Sequence, residues 1–245
     1  MFAIKFWMIA TGFALGLNLT SMPVQKKYDM NNPPQRGFRY IDLPEVSYTS
    51  STSIEEAMLN RRSVREFSDE QLTLTDISQL LWAAYGITED RSHPGSLRGG
   101  LRTAPSAGGL YPLEIYVVAG KVEGLKAGLY KYISNGHRLE MMQEEDLRGA
   151  LAEAALNQDF LEDAPISLVF TAVFKRTTEK YGDRGKERYV CMDLGHSAQN
   201  VYLQAESLGL GTCAVGAFTD QMVTNVLMLP ADEEPLYIMP VGKPR

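Results

Sequence analysis

The strongest constraint on how this chain folds is a pair of apolar, β-branched runs, Leu113–Ala119 (LEIYVVA) and Ile166–Phe174 (ISLVFTAVF). Both have the length and composition of buried strands, and the second reads as a central one. Helical patterns surround them. Ser53-Ile54-Glu55-Glu56 is a capping box that starts a helix running to about Asn60. Thr73-Leu74-Thr75-Asp76 is a second, followed by Ile77, Leu80, Leu81 and Ala84 at i, i+3, i+4 and i+7, with the helix ending near Gly86. Val190, Leu194, Val201 and Leu208 fall on one stripe of a long helix from about Arg188 to Ser207, stopped by Gly209 and Gly211. Glu144 to Asn157 also reads as helical. Gly128–Tyr132 and Leu139–Met142 read as a hairpin around Asn135-Gly136, and Cys213–Val215 and Leu236–Val241 as the last strands. Arg91–Gly109, rich in Gly, Ser and Pro, reads as a loop. Helices and strands mix without a strict βαβ rhythm, which predicts an α+β fold with a central mixed sheet packed against helices.

The N-terminus stands apart. Lys5 precedes an apolar run from Phe6 to Leu19, shorter than a membrane span and closer to a secretory signal. The expectation is export or membrane anchoring through residues 1–22, with an ordinary amphipathic helix and a cytoplasmic protein as the alternative. Residues 23–44, with Asn31-Asn32-Pro33-Pro34, read as a flexible linker or arm, so the folded body is expected over 45–245. A chain of 245 residues buries roughly 70% of its unfolded surface. The net charge of −6 argues against nucleic acid as a partner. The two cysteines, Cys191 and Cys213, are too few for a disulfide framework and read as small buried apolar residues. No pair among His93, His137 and His196 has a metal-ligand spacing, so no metal is expected.

Within this acidic chain, Arg61-Arg62-Ser63-Val64-Arg65 puts three guanidiniums in five residues. Arginine forks bind phosphate bidentately and a serine hydroxyl adds a hydrogen bond; the alternative is a solvated helix end complementing the dipole. Thr103-Ala104-Pro105-Ser106-Ala107-Gly108-Gly109 brings small residues to a loop where backbone can approach a flat ligand, or is a plain loop. It is no nucleophile elbow, because Ala104 replaces the first glycine and a strand follows instead of a helix. Gly209-Leu210-Gly211-Thr212-Cys213-Ala214 fits GxGxxA but runs from helix to strand, the reverse of a dinucleotide turn. Val215-Gly216-Ala217-Phe218 reads as a tight turn. Between Lys175 and Arg188, six cations face three carboxylates, with Gly182 and Gly185 as breakers: a solvated loop, or a mobile lid over an anion in which Lys180-Tyr181 supplies acid/base chemistry. Lys243 and Arg245 end the chain after an apolar strand.

Taken in order, RRSVREFSDEQLTLTDISQLLWAAYGIT, RTAPSAGGLYPLEIYVV, EKYGDRGKERY, DLGHSAQNVYLQAESLGLGTCAVGAF and YIMPVGKP resemble the nitroreductase superfamily, most closely its SagB-like, thiazoline/oxazoline dehydrogenase-type branch, over about residues 53–245. The resemblance implies a homodimer with two FMN sites at its interface. It assigns Arg61, Arg62, Ser63 and Arg65 to the FMN phosphate and ribityl chain. Pro105, Ser106, Ala107 and Gly108 of the other subunit fall to the isoalloxazine, Gly216 and Ala217 to its pyrimidine or N5 edge, and Lys243 and Arg245 to the phosphate. Lys180-Tyr181 is similar to the acid/base pair of azoline dehydrogenases, and Asp193 stands where the family more often has glutamate. The expected activity is ping-pong hydride transfer through FMN, with NAD(P)H as the default donor and a small molecule or peptide azoline as the partner substrate. The alternative is a non-catalytic FMN-binding dimer or electron carrier.

Overall fold

The computed structural model describes residues 40–91 and 99–245. The expected signal or anchor (1–22), most of the expected arm (23–44) and His93 lie outside them. Within the expected arm, Tyr40–Asp42 forms a strand, β1, instead of a linker, because it pairs with a later strand over Arg138–Glu140. Helix α1 spans Ile54–Asn60, with the Ser53 side chain accepting from the Glu56 N–H, and α2 spans Leu74–Tyr85 behind a reciprocal Thr73/Asp76 box. Then follow β2 (Ile87–Asp90), β3 (Gly100–Arg102), a one-turn 3-10 helix at Ala107–Gly109, β4 (Leu113–Ala119), β5 (Gly128–Ile133) and β6 (Arg138–Gln143). Helices α3 (Arg148–Ala154) and α4 (Phe160–Asp163) precede β7 (Ile166–Ala172). The second half contains α5 (Lys175–Tyr181), a π turn at Gly185–Tyr189, α6 (Val190–Ser207), β8 (Gly211–Thr212), α7 (Asp220–Val226) and β9 (Glu234–Gly242).

Seven strands form one sheet in the order β1-β6-β5-β4-β7-β9-β8, with every strand pair antiparallel. A parallel bridge between Ser63 and Thr212 continues the β8 edge. The two apolar runs are β4 and β7, neighbours at the centre. Alternating side chains explain why they carry apolar residues on both faces. Leu113, Ile115, Val117, Leu168 and Phe170 pack with Ile77, Leu81, Val201 and Ala205 of α2 and α6, while Tyr116, Val118 and Val169 pack with Leu151, Leu161 and Val223 of α3, α4 and α7. The sheet is thus covered on both faces. Among the described residues no helix is long and apolar enough to cross a membrane.

Several elements depart from expectation. The 91–109 stretch is not all loop: β3 pairs with β2 in a separate two-stranded sheet. The helix expected over 144–157 is confined to α3. The segment 175–188 is helical instead of a loop, because α5 caps on Gly182 (φ 57°) and the chain re-enters helix through the π turn. Cys213 is buried as expected, whereas Cys191 is exposed on α6.

Candidate functional site

The arginine segment leaves α1 and runs along the edge of the sheet. The Val64 N–H donates to the Thr212 carbonyl at 2.9 Å, and the Ser63–Thr212 bridge fixes the register. A Cβ at Gly211 would meet the Val64 side chain at 2.7 Å, so only glycine lets the two strands approach. Further on, Phe67 bridges to Pro244, the Ser68 N–H donates to the Lys243 carbonyl at 2.9 Å, and the Arg245 N–H donates to the Glu66 carbonyl at 3.1 Å. The arginine segment, the β8 edge and the C-terminus therefore converge within one chain.

The side chains are not equivalent. Arg61 lies over the Tyr202 ring, its guanidinium carbon 5.2 Å from the centroid. Arg62 turns back on α1, its Nη1 donating to the carbonyls of Leu59 (3.0 Å), Asn60 (3.1 Å) and Arg61 (2.9 Å), which is the helix-end role. Arg65 and Ser63 are exposed. Among the described residues no carboxylate forms an ion pair with Arg61, Arg62 or Arg65. Lys243 differs: its ammonium is bonded to Glu70, which raises its pKa. The side-chain hydroxyl of Thr212, whose backbone forms the bridge to Ser63, is buried and finds no partner among the described residues. In the exposed turn beyond β8, the Gly216 and Ala217 N–H groups likewise have no partner among the described residues, although the Ala217 carbonyl accepts from Gln158 at 2.9 Å. Guanidiniums without a carboxylate partner among the described residues, an exposed serine hydroxyl and open backbone donors form a donor set that fits a phosphorylated, acceptor-rich cofactor such as FMN.

A second cluster lies along α6. Asp193, buried in its first turn, accepts from Ser106 Oγ at 2.5 Å and from the Ala107 N–H at 3.3 Å, while Ser106 Oγ accepts the Tyr111 N–H at 2.9 Å. Burial pushes the Asp193 carboxyl above the usual range, against the opposing pull of these two hydrogen bonds. The loop ends in two left-handed glycines, Gly108 and Gly109, both at φ 65°. A Cβ at Gly108 would meet the Tyr181 hydroxyl at 2.7 Å and Lys180 Nζ at 3.0 Å. The Pro105–Gly108 loop and the Lys180-Tyr181 pair thus meet, with Pro105 and Lys180 exposed. The Tyr181 ring sits edge-on to Tyr189, centroids 4.9 Å apart, and the Tyr189 hydroxyl accepts from Arg184 Nε at 2.9 Å.

Three contributors escaped the sequence reading. Tyr202 and Tyr189 carry no motif, and the Asp193–Ser106 contact spans 87 residues of chain. Asp193 and Tyr202 both lie on α6, whose packing against the sheet fixes where each of them stands.

The nitroreductase family model matches residues 58–243. A protein of Methanocaldococcus jannaschii, provisionally named a nitroreductase, is 47% identical over 203 residues, covering 83% of this chain and 96% of that one. The crystal structure of a provisionally named nitroreductase from Ralstonia eutropha superposes with a TM-score of 0.72 at 33% identity, covering 84% of this chain and 90% of that chain. The microcin B17-processing protein McbC of Escherichia coli is 28% identical over 166 residues, 65% of this chain and 57% of that protein. The central sheet, its helical layers and these likenesses agree: this chain belongs to the nitroreductase family and is an oxidoreductase.

Proposed function

We propose that the protein is an FMN-dependent oxidoreductase working as a homodimer by ping-pong turnover. The observation that carries this reading is the Arg61–Arg65 segment, cationic and free of acidic partners among the described residues, held against the Thr212 edge near the open N–H groups of Gly216 and Ala217. Arg61, Ser63 and Arg65 would hold the phosphate, with Arg245 nearby, while the Gly216 and Ala217 N–H groups would face the flavin edge. Bound FMN would supply the hydride-accepting and hydride-donating centre.

The dimer is supported by geometry along α6. Asp193 and Tyr202 are nine residues apart, which puts them on opposite sides of the helix and about 14 Å apart along its axis. The Ser106 loop and the arginine segment of one chain therefore face different ways, and a second copy brings the loop to the other's phosphate site. Ile54, Met58 and Leu59 of α1 and Met192 of α6 are exposed by 52%, 59%, 73% and 52%, apolar side chains that such a partner would cover.

Lys180 and Tyr181, which meet the loop at Gly108, are the groups available to take and return a substrate proton. Their presence and the likeness to McbC favour dehydrogenation of azoline or related C–N bonds in a peptide over reduction of nitro or quinone compounds. NAD(P)H is the default donor for the reductive reading.

Purification tests the cofactor: a yellow protein whose visible absorption bleaches on reduction is expected, and a colourless protein that takes up no added FMN would refute the assignment. Lys180→Ala tests the substrate: loss of azoline oxidation with FMN retained is expected, and unchanged oxidation would exclude the pair. The N-terminal run is read as an export signal, so the mature protein should begin after Met22; a chain still starting at Met1 contradicts cleavage.

A further inference from the structure

Tyr202 touches three separate parts of the first cluster. It is half-buried on α6, its hydroxyl accepts the Ala214 N–H at 2.7 Å and lies 3.4 Å from Ser63 Oγ, and its ring carries the Arg61 guanidinium. We propose that Tyr202 is a positioning residue for the phosphate site and sets its preference for a phosphorylated flavin over the same flavin without phosphate. The inference rests on the FMN reading above.

Hydrogen-bond bookkeeping supplies the first argument. A tyrosine hydroxyl has one proton and acceptor lone pairs. Accepting from Ala214 leaves that proton free to point at Ser63 Oγ, 3.4 Å away, and we assign the tyrosine the donor role in this pair. Ser63, then an acceptor on that side, keeps its own proton for an outside anion. The serine is thereby poised as a donor before any ligand arrives.

Charge supplies the second. A carboxylate could hold Arg61 in place, but it would cancel the charge that a phosphate needs. An aromatic face holds a guanidinium within about 6 Å through its quadrupole and leaves the full positive charge in place. Tyr202 therefore orders Arg61 and Ser63 without competing with the ligand. The backbone beneath is fixed independently by the Val64–Thr212 hydrogen bond, so the effect of Tyr202 falls on the two side chains.

The test compares FMN with riboflavin, which lacks the phosphate, by quenching of flavin fluorescence on flavin-depleted full-length protein. Tyr202→Phe keeps the ring and removes the hydroxyl. It should weaken FMN about tenfold and leave riboflavin within about twofold, in line with one lost hydrogen bond to an anion-binding group. Tyr202→Leu, which also removes the aromatic face, should weaken FMN about thirtyfold. Ser63→Ala should reproduce Tyr202→Phe, and the double variant should be no worse than either single one if the tyrosine acts through the serine. Equal weakening of both flavins, or an unchanged FMN affinity in both Tyr202 variants, would overturn the proposal. A wild-type protein that binds neither flavin would overturn the FMN reading and this inference with it.

Discussion

Two basic segments of this molecule look alike in sequence and have opposite fates in the fold. The arginines at 61–65 stand without acidic partners among the described residues. The cations between 175 and 188 are largely engaged inside the chain. Arg176, with a side chain 18% exposed, is bonded to Glu114 and reaches the Tyr111 and Pro112 carbonyls at 3.3 and 3.4 Å. Lys186 pairs with Glu234 at 3.2 Å and covers the Phe174 ring, Arg184 holds Tyr189, and Lys175 lies 3.6 Å from Glu179. Charge density is therefore a poor guide to anion binding. What distinguishes a binding segment is the absence of an internal counter-charge, and the second segment serves to hold α5 and the π turn so that Lys180 and Tyr181 reach the loop at Gly108.

The sharpest way to break this comparison is to truncate each segment and read both affinity and stability. Arg61→Ala with Arg65→Ala should weaken FMN roughly a thousandfold, at about 1.5–3 kcal/mol per lost charged hydrogen bond, while denaturant unfolding shifts by less than about 0.5 kcal/mol. Arg176→Met should do the reverse, costing about 3 kcal/mol of stability by leaving Glu114 half-paired, with FMN affinity unchanged in the folded fraction. Parallel behaviour of the two variants would erase the distinction.

A smaller effect tests how the second segment meets the loop. Gly108→Ala forces a left-handed alanine against the Tyr181 hydroxyl and Lys180. Turnover should fall about tenfold with FMN retained, measured as kcat against flavin content. Unaltered kcat would separate Lys180-Tyr181 from the chemistry.

The smallest effect lies outside both segments and serves as their reference. Ser78 Oγ donates to the Pro44 carbonyl at 2.6 Å, so it must accept from His137 Nε2 at 2.7 Å, which leaves Nδ1 to accept from Tyr132 at 2.9 Å. The ring is thus held neutral, and burial lowers its pKa. Because the folded value lies below the unfolded one, this contribution to stability is complete above about pH 6.5 and declines as pH falls below it. Unfolding measured from pH 7.5 to 5 should show that decline, and His137→Asn should flatten it.

These contrasts also explain what the sequence could disclose. Strands β4 and β7 were legible because both of their faces are buried, so apolar residues occupy both sides of each strand. Strands β2 and β3 were not: Thr88, Glu89 and Asp90 are exposed and polar, and Gly100 (φ 145°) hides the strand in a glycine-rich stretch. Helix α7 has seven residues, just under two turns, and its β-branched residues obscure the period. At the site, Arg61–Arg65 and Pro105–Gly108 were visible as local strings. Their partners were not, since Tyr202 meets Ser63 across 139 residues and a lone tyrosine on a helix carries no pattern. Local chemistry is written in short motifs, whereas the residues that aim it are chosen by packing.

The account stands or falls on whether the unpaired arginines read a phosphate. Titrating flavin-depleted wild-type protein with FMN and with riboflavin tests this directly. Binding of FMN at least a hundredfold tighter than riboflavin, with the gap narrowing as salt rises, is the expected result. Equal affinity for the two flavins, or a gap indifferent to salt, would contradict it.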